Sequence, residues 1–195
     1  MRSPSALLLG SLLGSLLTGP VAGQVPAGGP AGAPVTLSLT ANGAMRADVW
    51  PGQPLLVAAD LLHRDAYGES VDAVTVAAEG DSWAGALALT VLDAGSRAQT
   101  WPLHAGPVAA GPLTLGADSA GRAVFFLSPD ETAALAPGTY ALHASLDSTA
   151  LGAPGAYRSP RSVPVVLTVH AAGDAPGPGA AADARLLLAD YHVLR

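Results

Sequence analysis

From Leu113 to Leu146 the chain reads as strand, turn, strand, capped helical turn and strand again, and this succession commits it to a β architecture. Pro112 to Gly116 is a short apolar run, Asp118 to Gly121 supplies turn residues, and Arg122 to Leu127 (RAVFFL) is β-branched and aromatic, which predicts a hairpin. Ser128 stands three residues before Glu131 with Pro129 between them, a capping box with proline at the first helical position. Ala136 precedes a proline and is pushed out of the α region, so this helical turn ends by about Leu135. Pro137 and Gly138 suit the two central positions of a type II turn. Beyond them Tyr140, Leu142, Ala144 and Leu146 share one face and Ala141, His143, Ser145 and Asp147 the other, a period of two.

The same period recurs along the chain. Val35 to Thr40 (VTLSLT) alternates, and Leu55 to Leu62 follows the turn Trp50-Pro-Gly-Gln-Pro54. Ala73 to Ala78, Ala84 to Leu92, a short run from Gln99 to Leu103 and a closing run from Val163 to His170 also read as strands. Pro164, near the start of the last run, places it at a sheet edge. No long helical period interrupts these segments, which excludes an α/β fold.

The spacing L-x-P-G-x-Y, carried by Leu135, Pro137, Gly138 and Tyr140, resembles the tyrosine corner of immunoglobulin-like and fibronectin type III domains. The resemblance implies a tyrosine, here Tyr140, at the start of the F strand whose hydroxyl bonds back to the backbone just upstream. It speaks to fold and not to function, since sandwiches host many unrelated activities. Bacterial extracytoplasmic sandwiches, macroglobulin-like modules among them, are similar at this level. The expected fold is all-β: an immunoglobulin-like antiparallel β-sandwich of about 7–9 strands over residues 34–171.

Residues 1–23 have the layout of a secretory signal peptide, with Arg2 as the charged start, Ala6 to Leu17 as the apolar run and Val21-Ala-Gly23 as the cleavage site. A flexible leader at 24–33 and a linker at 172–179 flank the sandwich. Residues 180–195 form a helix with Leu187, Leu188, Tyr191 and Leu194 at helical spacing. That segment resembles the opening helix of a tetratricopeptide-type hairpin. Either the natural chain continues past Arg195, or the helix docks on the sandwich or on another molecule.

Composition removes several classes of chemistry. There is no cysteine, so disulfides, thiolate metal sites and cysteine nucleophiles are excluded. All nine basic residues are arginine, scattered, and the formal charge is −6, which argues against binding nucleic acid or anionic lipid.

Four candidate sites compete with blander readings. Gly80-Asp81-Ser82 resembles the nucleophile block of GDSL-type esterases, but without its strand-turn-helix context Ser82 reads as a turn residue. His143 and His170 fall on outward positions of strands expected to be neighbours, yet two ligands do not close a metal site. Asp65, Glu69 and Asp72 share a loop but lack the calcium-loop spacing. Trp50, Trp83 and Trp101 sit at turns or strand starts, where they either stack on sugars or cap the core.

The sequence therefore predicts an exported, periplasmic or extracellular, non-catalytic module that binds protein or self-associates, with the helix at 180–195 as a candidate surface. Neither a catalytic residue nor a cofactor or metal is expected, and no membrane span after signal removal. The alternatives are a carbohydrate-binding module using Trp50, Trp83 and Trp101 and, remotely, a serine esterase on Ser82.

Overall fold

The computed structural model describes residues 33–63, 73–116, 119–152, 157–174 and 178–194. The signal peptide, most of the leader and the acidic loop of Asp65, Glu69 and Asp72 lie outside these residues. The strands are β1 (Val35–Ala41), β2 (Arg46–Val49), β3 (Leu55–His63), β4 (Val74–Val76), β5 (Leu87–Asp93), β6 (Ala98–Gln99), β7 (His104–Ala105), β8 (Leu113–Leu115), β9 (Ala120–Leu127), β10 (Gly138–Leu146) and β11 (Val165–Val169). A short helix α1 (Pro129–Ala133) and a terminal helix α2 (Pro178–Leu194) complete them.

Two sheets face each other, one in the order β1-β3-β9-β7 and the other β2-β11-β10-β5-β6, with β4 and β8 paired apart. These orders are those of strands A-B-E-D and G-F-C of the immunoglobulin fold, so the all-β sandwich expected from the alternation is the observed architecture. The eleven strands exceed the expected seven to nine because the fold adds pieces of two to four residues. Among the named strands one pairing is parallel: β2 runs beside β11, Arg46 opposite Val166 and Val49 opposite Val169.

Alternation decides what is buried. Val35, Leu37, Leu39 and Ala41 of β1 point into the core, as do Leu55, Val57, Ala59 and Leu61 of β3 and Tyr140, Leu142, Ala144 and Leu146 of β10. Each fully buried leucine contributes roughly 2 kcal/mol of transfer free energy. At the end of β1 the chain changes sheets through Asn42 and Gly43, both at positive φ. Asn42 tolerates this conformation better than most residues, and its side-chain oxygen accepts from the Leu56 N–H at 3.0 Å.

The capping box forms as the sequence predicts: Ser128 accepts from the Glu131 N–H, and Glu131 accepts from the Ser128 N–H at 2.8 Å. Four local expectations do not hold. Leu113–Leu115 does not form a hairpin with Arg122–Leu127; it pairs with β4, Leu115 opposite Val74. Gly121 is not a turn residue but lies inside β9, where the missing Cβ leaves room for the end of the Leu113 side chain. Gly138 has positive φ, but as the first residue of β10, paired with Val169, rather than inside a type II turn. The closing strand is also not an edge: Pro164 stops short of β11, and β2 covers its outer side.

Candidate functional site

Over part of their length β3 and β9 are apolar on both faces. Leu56, Ala58, Val124 and Phe126 point away from the core, and a strand patterned this way has something covering its outer surface. The cover is α2. Tyr191 is 6% exposed and meets Phe126 edge to face at 5.4 Å, while Leu187 and Leu194 are half-buried beside it. The helix thus docks on the sandwich through three of its four predicted apolar positions. Leu188 faces outward, and Leu186 and Val193 are exposed at the flank of the helix.

Between the flank of the helix and the corner where β1 turns into β2 lies a groove of about 810 Å³. Leu56, Ala58 and Val124 floor it, Leu186, Leu187, Val193 and Leu194 form the helix wall, and Arg46, Asp48 and Asp190 stand at its rim. Asp60 and Arg122 add a bidentate ion pair at 2.6 and 2.9 Å. The hydrogen bond to Asp60, then the attraction between the charges, pushes the Arg122 pKa up.

The tryptophans do not assemble into a platform. Trp83 is only 3% exposed, so its assignment as a ligand-stacking residue is corrected to a core residue at the sandwich end. Trp50 lies at the groove rim with one face stacked on His170, centroids 3.6 Å apart and planes within 4°. Trp101 is half-buried and packs edge to face on Tyr140 at 5.1 Å. The Tyr140 hydroxyl donates to the Ala136 carbonyl at 2.8 Å, four residues upstream.

His143 and His170 sit on neighbouring strands but at opposite ends of their pairing: His143 follows the Leu142–Val165 pair, and His170 follows Val169, which lies opposite Gly138. They are too far apart to share an ion. His170 instead bonds Asp48 at 2.8 Å. Ser82 is half-buried in a bridged turn between Glu79 and Gly111, and the shallow pocket it borders has no histidine among its lining residues.

The four outer edges of the two sheets are managed differently. β6 and β7 are two residues each, too short to template another strand. β2 has four residues, two of them charged, Arg46 and Asp48. β1 has seven residues (VTLSLTA), no charge and no proline, and among the described residues only β3 pairs with it over its full length. The sequence shows β1 as a strand but holds no local sign of whether a strand is central or at an edge, so this feature was not readable there.

No protein-family model matches the chain, and no curated protein matches it. Among solved structures it is similar to a family 123 glycoside hydrolase from Clostridium perfringens, with 8% identity and a TM-score of 0.40 over 71% of this chain and 27% of that one. It is also similar to the CARDB domain of a Pyrococcus furiosus protein in complex with di-metal ions, with 11% identity and a TM-score of 0.35 over 70% of this chain and 87% of that one. A third is AggA, the major subunit of aggregative adherence fimbriae type I from Escherichia coli, with 19% identity and a TM-score of 0.37 over 72% of this chain and 99% of that one. Likenesses at this level carry no activity across, and the fold assignment stands on the two sheets themselves. No helix among the described residues is long and apolar enough to cross a membrane.

Proposed function

We propose that this chain is an exported, non-catalytic β-sandwich that serves as a protein-binding or assembly module of the cell envelope. The observation that carries the reading is the outer edge of β1, which has no partner strand among the described residues. Among the described residues the outward N–H and C=O groups of Val35, Leu37 and Leu39 have no partner, and with neither charge nor proline on the strand to discourage pairing they are a template for an added strand. Backbone bonds along such an edge supply affinity, and the alternating side chains supply selection. In this reading Tyr140 is the corner residue that fixes the far end of the sandwich. The carbohydrate-binding alternative needs rings displayed together, and with Trp83 buried and one face of Trp50 taken by His170 it has little left to stand on.

A photo-reactive residue tests the proposal. Placed at Ser38, midway along β1, it should cross-link the protein to another chain in its native setting, whereas at His143, on the outer face of the other sheet, it should not. Correctly folded protein that gives no adduct at Ser38 would overturn the reading.

A further inference from the structure

The strand that suits this edge is one with β1's own character. Its outward side chains are Thr36, Ser38 and Thr40, all carrying hydroxyls, and its inward ones, Val35, Leu37, Leu39 and Ala41, belong to the core. We propose that β1 pairs with β1 of a second copy, antiparallel and centred on Ser38; this rests on the strand-addition reading above. A two-fold axis through Ser38 sets Thr36 of each copy opposite Thr40 of the other and Ser38 opposite Ser38. Every outward pair is then hydroxyl on hydroxyl, a favourable cross-strand combination, and no like charges meet. On the inner side Leu37 meets Leu39 and Val35 meets Ala41, which continues the apolar row across the junction.

The two four-stranded sheets become one sheet of eight, with β1 at its centre. Eight strands remain within the ordinary size of open sheets. The chain's net negative charge does not oppose the contact locally, because the edge itself is uncharged while the charged edge strand, β2, belongs to the other sheet. A contact one strand long falls short of the roughly 1,200–2,000 Å² of a standard stable interface, so the pair is weak and reversible, suited to chains held at high local concentration.

Sedimentation equilibrium on the purified, naturally processed protein tests this. The unmodified protein should dimerise reversibly as its concentration rises through the micromolar range. Ser38→Glu and Ser38→Lys each bring two like charges together on the axis and should weaken association at least tenfold. An equimolar mixture of the two variants, where Glu faces Lys, should recover it. Ser38 is a half-exposed residue on the outer face, so matching circular dichroism and melting curves establish that both variants fold. A protein that stays monomeric, or a mixture that does not recover, refutes the second copy as occupant. If the cross-linker at Ser38 then captures a different protein, strand addition stands and only the second copy is lost; with no adduct, both fail.

Discussion

Replacing Tyr140 with phenylalanine removes one oxygen and leaves everything else at that position in place. The ring is 9% exposed and packs against Trp101 at 5.1 Å, and both properties survive in phenylalanine, so no cavity opens. What disappears is the 2.8 Å bond to the Ala136 carbonyl. A neutral hydrogen bond contributes about 1 kcal/mol net. Ala136 is exposed, so its carbonyl turns to water and escapes the larger penalty of a buried orphan. The expected cost of Tyr140→Phe is therefore about 1 kcal/mol, read by urea unfolding as a lower midpoint at unchanged slope. Tyr140→Ala, which also empties the ring's volume, should cost roughly 3–5 kcal/mol. If Tyr140→Phe melts with the unmodified protein, the hydroxyl is idle. If it costs as much as Tyr140→Ala, the packing argument is wrong.

His63 is buried at the end of β3 with neither ring nitrogen hydrogen-bonded among the described residues, so His63→Leu should raise stability by about 1 kcal/mol; a loss in urea melts would contradict this. Burial raises the Glu131 pKa, but hydrogen bonds from His104 at 2.6 Å and from Ser128 outweigh it and hold the group below its ordinary 4.5. A carboxyl with a depressed folded pKa stabilises above its unfolded value and loses that contribution as pH falls through the folded one. Glu131→Gln should therefore flatten the decline in melting temperature below pH ~4.5, and an unchanged acid limb would show the bonds contribute nothing. Tyr191→Ala should release α2 from the sheet, so amides at 186–194 lose hydrogen-exchange protection while those of β3 and β10 keep theirs; retained protection would mean the helix is held elsewhere.

Strands whose inward residues are large and apolar and whose outward residues are small or polar were legible in the sequence, as β1 and β10 illustrate. The capping box at Ser128 was legible too, since all its partners lie within four residues. Pairing was not. β8 is followed by a turn-like segment and then β9, so it reads locally as half of a hairpin, but its partner β4 is some forty residues earlier, a pairing no local pattern records. β2 is not legible because four residues with one buried side chain, Val49, leave no period to detect. The seat of α2 has a sign in the sequence: Leu56, Val124 and Phe126 are large apolar residues on outward positions, unlike those of a half-solvated sheet. The tryptophans left both readings open because position at a strand end does not distinguish a ring capping the core, like Trp83, from one at the surface.

The parallel pairing of β2 and β11 bears on how the protein responds to force. The chain enters β2 at Arg46 and leaves β11 at Val169, and the two strands run the same way, so these points lie at opposite ends of the pair. Tension applied between the two halves of the chain slides one strand lengthwise past the other. The bonds from the Val166 N–H to Met45 and from the His170 N–H to Val49 then stretch together instead of parting in turn, as they would in a hairpin pulled open from its free end. Single-molecule stretching should show this as one abrupt high-force rupture, where a gradual low-force opening would contradict it. A molecule tethered at both ends would yield all at once or not at all.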